Sequence, residues 1–60
     1  MIITLLGERF DSTQVEETFE NDVIGATNRA IEMSNEHDMD WVLMLADKSM
    51  VGHYVDGEQQ

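Results

Sequence analysis

Apolar and polar positions divide the chain into segments of different period. Residues Ile2–Phe10 begin as a nearly continuous apolar run and end in alternation, with Leu6 and Phe10 on one side and Gly7 and Arg9 on the other. That pattern predicts a strand, bulged or closely approached at Gly7. Asp11-Ser12-Thr13 then offers candidate N-caps, and Thr13 with Glu16 has the spacing of a capping box, so a helix is expected from about Thr13 to Asn35. Val15, Phe19, Val23, Ala26, Ala30 and Met33 recur at three- and four-residue intervals along one stripe of it. Ile24 and Ile31 lie off that stripe, and Gly25 interrupts it at a price of roughly 1 kcal/mol relative to alanine. Trp41–Ala46 is apolar without a break, which fits a strand buried on both faces. Asp47-Lys48-Ser49 reads as a turn and Met50–Val55 as the returning strand of a hairpin. Asp56–Gln60 is polar and is expected to fray.

The expected fold class is therefore α+β, in the order β-α-β-β, with one helix packed on a small three-stranded mixed sheet. A right-handed crossover would make Ile2–Phe10 parallel to Trp41–Ala46. The strand order stays open. One helix covers one face of a sheet, yet both strands that flank it carry apolar residues on both sides. Ile3 and Leu5 stand against Ile2 and Leu6, and Val42 and Met44 against Trp41, Leu43 and Leu45. A second cover is needed, and Ile3, Leu5, Val42 and Met44 are the expected dimer or partner face.

Composition narrows the possible partners. Sixty residues make one small domain, residues 1–60, and the lack of cysteine excludes a disulfide and fits a reducing, cytoplasmic setting. No apolar run approaches the roughly 20 residues of a membrane span. The apolar start lacks a positive leader and meets Glu8 early, so it reads as a strand rather than a signal peptide. Thirteen acidic residues face only Arg9, Arg29 and Lys48, for a formal net charge of −10. Such a surface repels a phosphate backbone or an anionic membrane and suits a basic protein. Acidity also keeps a small protein soluble without further meaning.

Catalytic chemistry finds little support. The best constellation is Glu36-His37-Asp38 with Asp40, where an imidazole among carboxylates could act as a base or ligate a metal, with His53 as a distant addition. The signal is weak, because a polar loop after a helix is expected to carry such residues without any function. Ser12, Ser34 and Ser49 occupy cap and turn positions, no glycine-rich phosphate loop exists, and Asp38-Met39-Asp40-Trp41 stops short of a calcium loop. The reading is of a non-enzyme with no catalytic residue, metal or cofactor.

The distribution of acids is more telling. In a helix from Thr13 to Asn35, Glu16 with Glu20 and Glu32 with Glu36 would be like-charge i,i+4 pairs, the second against the helix dipole, with no basic residue beyond them. A surface held acidic at local expense points to contact with a basic partner through Glu17, Glu20, Glu32, Glu36, Asp38 and Asp40. Helix turns space carboxylates at roughly 5.4 Å and a DNA strand spaces phosphates at roughly 3.4 Å, comparable enough to consider nucleic-acid mimicry. In size, acidity and lack of a catalytic set the chain is similar to small phage-encoded inhibitors of bacterial defence or transcription enzymes, a resemblance of composition alone. The expected function is a small acidic inhibitor or modulator of a nucleic-acid-handling enzyme. The alternatives are an antitoxin neutralising a basic toxin, or a homodimeric assembly module.

Overall fold

The computed structural model describes the whole chain, Met1–Gln60. Its first strand, β1, spans Ile2–Arg9 and turns back at once into a second strand, β2, over Gln14–Glu20. The segment Asp11-Ser12-Thr13 is the turn of this hairpin and not a helix start. The Arg9 amide donates to the Thr13 carbonyl at 2.8 Å, the Ser12 amide to the Arg9 carbonyl at 2.9 Å, and Ser12 takes a left-handed φ of 72°. The Thr13 amide donates to Asp11 Oδ1 at 2.9 Å, an Asx turn that uses the same side-chain chemistry as a helix cap. These hydrogen bonds to Thr13 also hold the Asp11 carboxyl below the usual carboxylate range.

The helix, α1, is shorter than expected, Val23–Ser34. Asn21 breaks the chain out of β2 with a φ of 55°, and Asp22 is the true N-cap, its Oδ1 accepting the Gly25 amide at 2.9 Å. A Cβ at Gly25 would run into that Asp22 carboxylate, so the glycine makes room for the cap. Ala26, Ala30 and Met33 are buried as the helical stripe predicts, and Val23, Ile24 and Ile31 stay exposed.

The third and fourth strands, β3 (Met39–Ala46) and β4 (Ser49–Val55), form the expected hairpin. Asp47 and Lys48 both take positive φ, 47° and 72°, the signature of a two-residue type I′ turn. The tail does not fray. Asp56 and Gly57, with φ of 54° and 78°, make a second such turn, and a short strand, β5 (Glu58–Gln59), pairs with Tyr54 and Val55.

The sheet is thus five-stranded and wholly antiparallel, in the order β2-β1-β3-β4-β5, which corrects the expected three-stranded mixed sheet. β1 lies between β2 and β3 and runs against both, so the strands joined by the helix run in one direction and are not neighbours. The expected parallel direction of the first strand and β3 fails because a further strand, β2, lies in the segment read as the start of the helix. Residues Val15 and Phe19 are an i,i+4 pair, which suits a helix, but they also share one side of a strand.

The core fills the space between α1 and one face of the sheet: Ile3 and Leu5 from β1, Met39, Val42 and Met44 from β3, Tyr54 from β4, and Ala26, Ala30 and Met33 from α1. Val15 and Phe19 pack at its border. Alanines at 26 and 30 let the helix lie close to the sheet. The Ser34 hydroxyl, also buried, donates to the Ile31 carbonyl and accepts the Gly57 amide, tying the last hairpin to the end of the helix.

Candidate functional site

Strand alternation sorts the side chains onto two faces, and only one has a cover. The residues of the helix-side face are those just named, so Ile3, Leu5, Val42 and Met44, the expected partner surface, are at most 5% exposed under α1 and cannot contact a partner. The open face carries the alternate set. Registers place Glu16 beside Leu6, Leu6 beside Leu43, and Leu43 beside His53 in one row across four strands. The next row runs Thr18, Thr4, Leu45 and Met50, and on the other side Gln14, Glu8 and Trp41. Leu6, Trp41, Leu43 and Leu45 are half-buried by their neighbours alone, while Ile2 and Met50 are exposed. The centre of this face is therefore apolar.

Its border on β2 is acidic. Gln14, Glu16, Thr18 and Glu20 alternate with Val15, Glu17 and Phe19, and the even-numbered set lines the open face. Neither Glu16 nor Glu20 has a cationic partner, and Glu8, next inward, only accepts a hydrogen bond from Gln14 at 3.3 Å. At one end of the face Ile2, Thr4, Asp47 and Lys48 line a shallow depression of about 290 Å³. It offers one apolar side chain and no convergent catalytic groups, so it is a poor small-molecule pocket.

The six acids expected to meet a partner do not act as one patch. Arg29, from α1, grips Glu17 with Nε to Oε1 at 2.9 Å and Nη2 to Oε2 at 2.8 Å, and reaches Glu32 with Nη1 at 2.9 Å. This fork holds the Glu17 carboxyl below its usual range and raises Arg29 above its own, chiefly through the shared hydrogen bonds. Arg9, from the end of β1, joins Glu36 at 3.2 Å and Asp38 at 2.7 Å, and its pKa is raised, first by the Glu36 hydrogen bond. Four of the six carboxylates are thus compensated locally, contrary to the premise that singled them out. Glu20 and Asp40 are exposed and unpaired. Glu17 and Glu20 also belong to a strand, on opposite faces, rather than to the helix.

The same arrangement accounts for the loop histidine. Arg9 binds the carboxylates on either side of His37, and His37 itself is exposed. His53 lies on the open face of β4, opposite Leu43 in the middle of β3 and not beside the loop that precedes that strand. No three His, Asp or Glu side chains are grouped as metal ligands.

The open face brings together Glu16, Leu6, Trp41 and Leu43, which are not among the site residues the sequence singles out, while Ile3, Leu5, Val42 and Met44 lie in the core. The signal for Glu16 was present in Gln14–Glu20, where every even position is polar. No helix of the protein is long and apolar enough to cross a membrane. No family model, curated protein or solved structure matches the chain.

Proposed function

We propose that this domain is a protein-binding module that modulates a basic partner through the open face of its sheet. The observation that carries the reading is that face itself: Leu6, Trp41, Leu43 and Leu45 form an apolar centre with no second layer over it, bordered by the unpaired carboxylates of Glu8, Glu16 and Glu20. Contiguous apolar surface rimmed by charge is the usual anatomy of a protein interface. The rim sets the sign of the partner, and a net charge of −10 steers a basic protein toward it from a distance. Proteins that hold phosphate backbones carry the strongest basic surfaces, so a nucleic-acid-handling enzyme of the cytoplasm is the class of target that fits best.

The acids most relevant to that contact are no longer those of the helix. Pairing by Arg9 and Arg29 leaves the β2 border with the larger uncompensated charge. A second copy of the chain is a weaker occupant, because it would bring another −10 against the same acidic rim.

The test compares the wild type with Leu43→Asp and with Glu16→Lys/Glu20→Lys as baits in lysate of the native cell, with circular dichroism to confirm that each variant is folded. A partner retained by the wild type, lost by Leu43→Asp and weakened by salt in proportion to its basic charge supports the reading. A captured protein that binds all three baits alike, or sedimentation showing a wild-type dimer that Leu43→Asp dissolves, would replace it with a different surface or with self-assembly.

A further inference from the structure

Resting on the reading of a basic partner, we propose that the free edge of β2 accepts an extended segment of that partner as a sixth strand, with Lys or Arg beside Glu16 and Glu20 and apolar residues beside Val15 and Phe19. The carrying feature is the backbone. Hydrogen-bonded pairs with β1 fall at the odd residues, as the bonds from the Arg9 amide to Thr13 and from the Asn21 amide to Met1 fix at the two ends of the hairpin. By the alternation of an antiparallel ladder, the amides and carbonyls of Gln14, Glu16, Thr18 and Glu20 point away from β1, toward a side where the sheet has no further strand.

Natural sheets blunt such an edge with bulges, proline, lysine or a very short strand. β2 has no bulge, proline or lysine over its seven residues in unbroken register, and its one inward-facing charge, Glu17, is neutralised by Arg29. The opposite margin of the sheet is handled differently. There β4 carries a bulge where its register with β3 shifts, and β5 with the Gln60 amide, which donates to the His53 carbonyl at 2.7 Å, covers its second half. The two edges thus differ in just the property that permits strand addition.

Charge selects the occupant. A second copy pairing through β2 would set glutamates against glutamates across the new ladder, and like charges opposed in this way are destabilising. A strand with Lys or Arg opposite Glu16 and Glu20 gains instead, and its other side meets the half-buried flanks of Val15 and Phe19. Glu17, on that same side, is already occupied by Arg29 and adds no requirement. The recognised pattern is then two basic residues four apart, each adjacent to an apolar one, in an extended segment.

A peptide with the core Lys-Val-Thr-Thr-Lys-Val, added to the intact protein at low salt, tests this by amide exchange. The expected result is slowed exchange at Glu16, Thr18 and Glu20, with no comparable slowing on β4. Two control peptides keep the protein unchanged. Replacing both lysines by glutamate is expected to weaken binding by at least about tenfold. N-methylation at alternate amides, which keeps the charge and removes the ladder, is expected to abolish the protection. Equal binding by the N-methylated peptide would reduce the contact to charge attraction and overturn the inference, as would binding that leaves those three amides unprotected. A peptide that fails to bind, alongside a natural partner still lost by Leu43→Asp, would remove the edge as the docking site and leave the open-face reading standing.

Discussion

Leu5 and Leu6 are chemically identical neighbours on one strand, and the fold assigns them opposite fates. Leu5 has no exposed surface and sits in the core between the sheet and α1, whereas Leu6 lies half-buried on the open face between Glu16 and Leu43. Truncating Leu5 to alanine removes buried methyl groups and leaves a void that Ile3, Met44 and the helix cannot close without moving, a change of about 2.5–5 kcal/mol. A domain of this length has about 3–9 kcal/mol of stability in all, from about 0.05–0.15 kcal/mol per residue, so Leu5→Ala takes between roughly a quarter of it and the whole. Leu6→Ala opens no void, because water already reaches the site. Half of the roughly 0.8 kcal/mol per methylene, over three carbons, gives about 1 kcal/mol. Urea denaturation followed by far-ultraviolet circular dichroism measures both, and the Leu5 variant should have a midpoint lower by several times the shift of the Leu6 variant. Equal losses would refute the assignment of faces. A Leu6 penalty that grows with protein concentration would show that a second copy covers the open face.

Three further outcomes follow from the ion pairs and the helix start. The double reversal Glu32→Lys/Glu36→Lys would favour an isolated helix, but here it removes one partner each from Arg29, which keeps Glu17, and Arg9, which keeps Asp38, and sets like charges beside them, so thermal unfolding should show a small loss of stability instead of a gain. Glu17 has its carboxyl pKa depressed in the fold, so below the ordinary glutamate range the unfolded chain takes up the proton first. Its contribution is therefore complete at neutral pH and fades as pH falls through the folded value; Glu17→Gln should flatten the acid limb of the stability–pH curve, measured by urea midpoints. Asp22→Ala should cost about 0.5–2 kcal/mol as the loss of an N-cap, while Thr13→Ala, at the position once expected to begin a capping box, should cost well under half of that in the same melts.

The sequence was informative where local pattern and tertiary environment agree. The uninterrupted Trp41–Ala46, the Ala26-Ala30-Met33 stripe and the start at Ile2 all lie where their periodicity indicates. It misled where one local pattern satisfies two structures. Val15 and Phe19 share a face in either a helix or a strand, and Glu17, the residue between them that argues against a strand facing the core, stays partly exposed at the border and is paired by Arg29 from a separate element. Asp11 and Thr13 make the same hydrogen-bonding motif in a turn that they would make at a cap. Asp56-Gly57 is a strong hairpin signal in its own right, yet Glu58-Gln59 lacks the apolar alternation that usually accompanies one. The acids were misread for a related reason: a carboxylate looks uncompensated when its partner, as with Arg9 and Glu36, is 27 residues away.

Three of the five methionines bear on how long the molecule survives, apart from what it binds. Met33, Met39 and Met44 are sealed in the core at 1%, 2% and 5% exposure, while Met1 and Met50 stand 50% and 64% exposed. A Cβ on Gly7 would lie 3.0 Å from the sulfur of Met39 and 3.4 Å from that of Met33, which shows how closely these two thioethers sit over the strand. A peroxide can reach them only when the helix lifts from the sheet, and each oxygen added converts a soft apolar filler into a polar group with no partner in the cavity. The outer pair, Met50 on the open face included, is open to oxidation in the folded state, and the inner trio only during excursions that expose the core. Every such excursion in an oxidising medium would leave a sulfoxide that persists until a reductase removes it, so the domain carries a chemical record of how often it has opened.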